Sequence, residues 1–316
     1  MSSIGRYRVV ARLGAGAFST VWLGHDDELD VDVAIKVLAE NWVGHADVVQ
    51  RFLDEARLLR RVEDRRVVRV HDIGRQADGR PYFVMDHVDG GTLADLTDLP
   101  LAPTEALDLG GQLAEAVQVL HDHGVLHRDL KPSNVLLTPG PARRVVVADL
   151  GMAKRLAESS GVTLTVGTPA FMAPEQAHQR SGLDVRADVY GVAAVTYLLL
   201  TGRRPFPGSS SASEVALRDP GLVPDPVRPG PRGVDAVLRA ALAYDPEQRP
   251  ATARLLADRL HALRANGSDA SDEVVAPTAT DVPRGLGRPA VVGVSLSVAL
   301  VVAVATWVVL SALLRG

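Results

Sequence analysis

The chain has 316 residues, no cysteine, a formal net charge of −4, 47% hydrophobic and 23% charged residues. The absence of cysteine excludes disulfides, thiol catalysis and cysteine zinc sites. A balance this close to neutral argues against a nucleic-acid partner, and the apolar content suffices for a large core. No apolar run follows the first charged residues, so a signal peptide is not expected.

Val, Ile and Trp alternating with polar residues predict strands over Tyr7 to Gly14, Thr20 to His25 and Asp32 to Leu38. Gln50 to Val62 has helical spacing, with Phe52, Leu53, Ala56 and Leu59 on one face. Val68 to Ile73 and Pro81 to Asp86 are strand-like again. Beyond Thr92 the pattern turns helical, over Thr104 to His123, Asp184 to Thr201 and Gly233 to Tyr244, with Thr104 and Asp184 as candidate caps. This order predicts an α+β fold of two lobes, a sheet lobe over about 7–85 and a larger helical lobe over about 89–264, with a cleft between them.

Four short runs carry candidate chemistry. Leu13-Gly14-Ala15-Gly16-Ala17-Phe18-Ser19-Thr20-Val21 joins two predicted strands, and glycines there allow a backbone to approach a phosphate closely. A plain hairpin turn has the same look, and the strand that follows rules out a dinucleotide fingerprint. Val33-Ala34-Ile35-Lys36 puts a lysine in an apolar strand, where it either snorkels from an edge or faces a cleft as a point charge. Glu55 on the next helix is its candidate partner; taken alone, Glu55 reads as a solvated charge. His127-Arg128-Asp129-Leu130-Lys131-Pro132-Ser133-Asn134 lies between apolar segments, so it is a short loop held by core elements. Asp149-Leu150-Gly151 ends the apolar strand Val145-Val146-Val147, where a carboxylate suits a metal or caps a turn.

In this order the runs resemble the eukaryotic-type protein kinases, from about Tyr7 to Arg264. The resemblance implies a two-lobed kinase fold and use of ATP with Mg2+, or Mn2+ in its place. Leu13 to Ser19 and Val21 would cover the phosphates, and Lys36 would hold them and pair with Glu55. Ala34 would line the adenine pocket, Met85 would be its gatekeeper, and Asp86 to Val88 would be the hinge. Asp129 would take the proton of the substrate hydroxyl, and Asn134 and Asp149 would hold the metal. Gly167 to Glu175 resembles the segment that closes the activation loop. By the same resemblance Asp188 would brace the catalytic loop and Arg249 would pair with Glu175. Lys131 together with Thr168 marks the serine/threonine class, so proteins are the implied substrates, and the wording of the loop is closest to bacterial members. Arg128 would receive phosphate on the activation loop, with Thr163 and Thr165 as the expected sites of autophosphorylation. Ser19 stands where the family has a third glycine and Leu150 where it has Phe; neither removes a catalytic group. The alternative is a pseudokinase acting as a membrane-anchored binding module.

Residues 265–289 are rich in Gly, Ser, Asp, Thr and Pro and read as a linker. Residues 290–314 carry no charge and are dominated by Val, Ala and Leu. At about 1.5 Å per residue they span a hydrocarbon core of roughly 30 Å, so one transmembrane helix is expected there. Arg284 and Arg288 favour a cytoplasmic kinase domain on a cell membrane, with no ectodomain beyond the helix. Ser295, Ala299 and Ala303 form a small-residue ridge that would allow a homodimer.

Overall fold

Six strands make one antiparallel sheet in the order β1-β2-β3-β4-β6-β5: β1 Ser3–Ile4, β2 Tyr7–Ala15, β3 Ser19–Asp26, β4 Val31–Leu38, β5 Val70–Arg75 and β6 Pro81–Asp86. The computed structural model describes residues 3–150, 169–178, 182–208, 211–228 and 230–269. The register pairs Val21 with Lys36, Lys36 with Phe83 and Ala34 with Met85, so these side chains share one face of the sheet. Val33, Ile35, Val37, Tyr82 and Val84 occupy the other face and bury in a separate small core with Ile4 and Tyr7. Period-two alternation thus sends Ala34, Lys36 and Met85 toward the large core.

Helix α1, Ala46–Arg61, packs against β5 and β6 with Phe52, Ala56 and Leu59 buried. Glu55 lies on the same face and is 1% exposed, so it is not a solvated helix charge. The helix starts ahead of the expected Gln50. Its N-cap, His45, makes no side-chain capping bond and left no signal in the sequence.

The helical lobe is built on α2, Pro103–Asp122. Also there are the short β7 Val135–Leu137 and β8 Val145–Val147, then α3 Pro174–Ala177, α4 Arg186–Thr201, α5 Ala212–Ala216, α6 Val234–Ala241 and α7 Ala253–Asp269. Both α4 and α7 pack on α2, and two adjacent glycines allow the approach. A Cβ on Gly110 would lie 2.5 Å from Thr196 Oγ1, and one on Gly111 would lie 2.5 Å from His261 Cε1.

Thr104 is not the cap of α2, because Pro103 occupies the first helical position and Ala102 precedes it without a side-chain bond. Asp184 is not the cap of α4 either, since Val185 holds that position without a side-chain bond, although Asp184 accepts the Arg186 N–H at 2.8 Å. The expected helix from Gly233 to Tyr244 is shorter, ending at Ala241. β1, α5 and α7 were not expected, and α7 runs past Arg264 to Asp269, into the stretch read as linker. Among the described residues no helix is long and apolar enough to cross a membrane. Residues 290–314, with Thr163, Thr165 and Thr168, lie outside the described residues.

Candidate active site

Lys36 on β4 is 6% exposed and its Nζ donates to Glu55 Oε1 at 2.7 Å and to Asp149 Oδ1 at 2.8 Å. A buried ammonium is tolerated only with such partners. Burial alone would pull its pKa down; the charges and hydrogen bonds of Asp149 and Glu55 outweigh this and raise it.

The loop between β2 and β3 folds back over this strand. Gly16 N–H donates to Ser19 O at 2.8 Å, and Ala39 N–H to Phe18 O at 2.9 Å. Gly14 pairs with Val21, and Val21 with Lys36. Leu13 is 48% exposed and stands apart from the buried members. Trp42 stacks on Phe18 with centroids 4.9 Å apart and donates its Nε1–H to Ala17 O at 2.9 Å. A Cβ on Gly14 would meet nothing within 4 Å, and neither Gly14 nor Gly16 has a positive φ. The fold itself therefore does not require glycine at these two positions.

On the opposite side of the cleft, the loop after α2 is held from several directions. Asp188, 1% exposed on α4, accepts His127 N–H on Oδ2 at 2.8 Å and Arg128 N–H on Oδ1 at 2.7 Å. Its Oδ2 also receives His121 Nε2–H at 2.9 Å, from the last turn of α2. Burial pushes the Asp188 carboxyl up; the His121 hydrogen bond, the nearby imidazoles and the Arg128 N–H outweigh it and bring the pKa down. His121 Nδ1 is buried without a partner, which fits the tautomer protonated on Nε2. His127 accepts Asp129 N–H on Nδ1 at 3.3 Å and faces Ala148 O with Nε2 at 3.2 Å, so its proton also sits on Nε2. Arg128 is left-handed, φ +66°, and its side chain is exposed.

Asp129 is half-buried in this loop. Lys131 Nζ donates to its Oδ2 at 3.1 Å, and Asn134 Nδ2 donates to its Oδ2 at 3.2 Å and its backbone O at 2.8 Å. Both Asn134 bonds use the amide nitrogen, which leaves the amide oxygen as an acceptor. The β7–β8 ladder pairs Val135 with Val147 and continues as Ala148 N–H donating to Asn134 O at 3.0 Å. That extension brings Asn134 and Asp149 to one end of the hairpin. Asp149 is left-handed, φ +60°, with its carboxyl 39% exposed, and Leu150 beside it is 1% exposed. A carboxylate and an amide oxygen are hard donors of the kind magnesium takes with phosphate oxygens and water. Among the described residues no cluster of three or more His, Asp or Glu forms an all-protein metal cage, and such a cation needs none.

Met85 and Ala34 face each other across β4 and β6. Asp86 ends β6, donates its N–H to Arg69 O at 3.0 Å and accepts Arg69 N–H on its carboxylate at 3.1 Å. Farther off, Arg249 forks onto Glu175 at 2.6 and 2.9 Å and donates to Ala243 O, Arg186 O and Tyr244 O. Sequence reasoning missed His121, Trp42 and Gln176. Each acts on a partner distant in the chain, and none stands in a motif.

A model of the protein kinase domain matches residues 7–260. Serine/threonine-protein kinase PknB of Mycobacterium leprae is 38% identical over 262 residues, 78% of this chain and 41% of that protein. Serine/threonine-protein kinase Pkn1 of Myxococcus xanthus is 37% identical over 257 residues, 78% of this chain and 37% of that protein. The chain thus spans well under half the length of these curated relatives. The crystal structure of the PknI kinase domain of Mycobacterium tuberculosis superposes with a TM-score of 0.65 at 29% identity, covering 83% of this chain and 98% of that one. The chain belongs to the protein kinase family.

Proposed function

We propose that the chain is a serine/threonine protein kinase that transfers the γ-phosphate of ATP to a serine or threonine hydroxyl of a protein, with magnesium. The observation that carries the reading is Lys36 held between Glu55 and Asp149 at 2.7 and 2.8 Å, with Asp149 at the same end of the β7–β8 hairpin as Asn134, which donates to Asp129. Its serine/threonine class rests on Lys131 beside Asp129 and on the names of the relatives.

In this reading Lys36 binds the α- and β-phosphates as a point charge, and Glu55 keeps it in place. Gly14 and Gly16, which the fold does not itself require, leave their backbone open to close approach by phosphate. Ala34 and Met85 line the adenine pocket, and the hinge backbone from Asp86 to Val88 meets the base. Asn134 and Asp149 would hold the magnesium, which supplies charge neutralisation at the phosphates. The Asp129 carboxylate takes the hydroxyl proton as the substrate oxygen bonds to the γ-phosphorus and the bond to the ADP oxygen breaks; general-base assistance contributes about 10²–10⁴-fold. Lys131, bonded to Asp129, would contact the transferring phosphoryl group.

Residues 290–314 are read as a membrane anchor with the kinase on the cytoplasmic side, and Thr163 and Thr165 as autophosphorylation sites that pair with the exposed Arg128. Carbonate extraction and mass spectrometry of the active protein test these two points. The activity is tested by incubating the full chain with labelled ATP, magnesium and a protein substrate beside Asp129→Asn. Incorporation by the wild type alone supports the reading. Equal incorporation by both defeats the catalytic assignment, and none by either favours a pseudokinase.

A further inference from the structure

Gln176, immediately after the Glu175 that Arg249 anchors, reaches back to the catalytic loop. Its Nε2 donates to Arg128 O at 2.9 Å, while its Oε1 accepts Ala173 N–H at 3.1 Å. The two partners fix the amide's orientation, since a carbonyl needs a donor and an N–H needs an acceptor. Arg128 is one of three non-glycine residues with positive φ among those described. That conformation persists in a side-chain-bearing residue only where the surroundings hold it. Asp188 Oδ1 takes the Arg128 N–H at 2.7 Å, and Gln176 supplies the donor to the Arg128 carbonyl. The two bonds fix the peptide planes on either side of the Arg128 Cα. The second of these planes leads directly into Asp129.

We propose that Gln176 is a positioning residue: its side-chain amide clamps the left-handed Arg128 peptide from the substrate-side segment, so that Asp129 is aimed only when that segment is seated. The inference rests on the kinase reading and deepens it. Glu175 is held by the buried fork of Arg249, and this sets where the next residue can reach. Seating of α3 and orientation of the catalytic loop are therefore joined through one donor.

Gln176→Glu separates the clamp from a mere cap. Glutamate still accepts the Ala173 N–H but has no N–H for the Arg128 carbonyl, and it sets oxygen against oxygen. We compare wild type, Gln176→Glu and Gln176→Ala as full chains for kcat, KM for ATP and melting temperature. The clamp predicts a fall in kcat of about 10-fold or more in both variants, the scale of one lost hydrogen bond at the reacting loop, with KM for ATP within about 2-fold. The Glu variant is expected to melt near the wild type. Wild-type kcat in Gln176→Glu would overturn the proposal, as would losses of activity that merely follow losses of melting temperature in both variants. An active wild type with an unimpaired Glu variant sinks only the clamp; a wild type no more active than Asp129→Asn sinks the kinase reading itself.

Discussion

Lys36 donates to Asp149 Oδ1 at 2.8 Å while it holds Glu55 at 2.7 Å, one ammonium shared by two carboxylates from different parts of the chain. Glu55 is 1% exposed whereas the Asp149 carboxyl is 39% exposed, so the two depend on Lys36 to different degrees. Removing Lys36 takes away the buried cation that neutralises Glu55, a loss of about 3–5 kcal/mol. Lys36→Met is expected to lower the melting temperature and to reduce phosphate incorporation about 10²-fold or more, as when a preorganised charge is lost. Lys36→Met combined with Glu55→Gln should recover most of the melting temperature and none of the activity. A Lys36→Met single variant that melts like the wild type would show that the pair carries no such load.

Asp188 predicts a pH dependence. Its carboxyl titrates below its ordinary value of about 3.9, so the stability it contributes is present above about pH 4 and is lost as pH falls toward the folded-state value. Asp188→Asn removes that component and turns an amide N–H₂ either toward the Arg128 N–H or toward the His127 N–H and His121, since these bond to different carboxylate oxygens. The variant is expected to lose about 3 kcal/mol at pH 7 and to show a shallower decline on acidification below about pH 4. Denaturant titrations of both proteins at a series of pH values measure this. Parallel curves would exclude Asp188 as a source of the acid sensitivity.

The family and five of the six sheet strands were legible because the chemistry is written in short contiguous runs. Val33-Ala34-Ile35-Lys36 reads as an apolar strand, while the face that Lys36 takes was settled only by its pairing with Val21 and Phe83. His127 to Asn134 announces a held loop by its apolar flanks. What holds that loop was less legible. His121 meets Asp188 across 67 positions and Gln176 meets Arg128 across 48, and no local period encodes such a pairing. The cap of α1 was illegible because His45 caps nothing with its side chain. α7 did carry a readable signal that the expected elements omit: Thr252 accepts the Leu255 N–H at 3.2 Å as a cap, and Ala253, Leu256, Ala257, Leu260 and Leu263 form a buried stripe of helical period. Glu55 was misread alone because its burial is set by β4, a different element.

Arg249 and Glu175 form a bidentate pair in which the guanidinium is fully buried and also donates to three backbone carbonyls. A lysine has one charged nitrogen and cannot reproduce that fork. Arg249→Lys should therefore cost nearly as much as Arg249→Ala, about 3–5 kcal/mol, because a single ammonium cannot serve both Glu175 oxygens and three backbone carbonyls at once. Thermal denaturation decides the point. A Lys variant close to wild type would mean that charge alone suffices.

Trp42 ties the loop over the cleft through two separable contacts. Its ring stacks on Phe18 with an interplanar angle of 18°, and its Nε1–H donates to Ala17 O at 2.9 Å. Trp42→Phe keeps an aromatic ring for the stack and deletes the donor. One net hydrogen bond is worth about 0.5–1.5 kcal/mol, so the KM for ATP should rise about 2- to 10-fold, with kcat little changed and melting within a few degrees of wild type. Trp42→Ala deletes the stack as well and empties a site that is 4% exposed, a loss of about 3–5 kcal/mol. If the loop were held only by its own turn, from Gly16 N–H to Ser19 O, Trp42→Phe would leave the KM for ATP unmoved. The stability loss in Trp42→Ala would then report core packing alone.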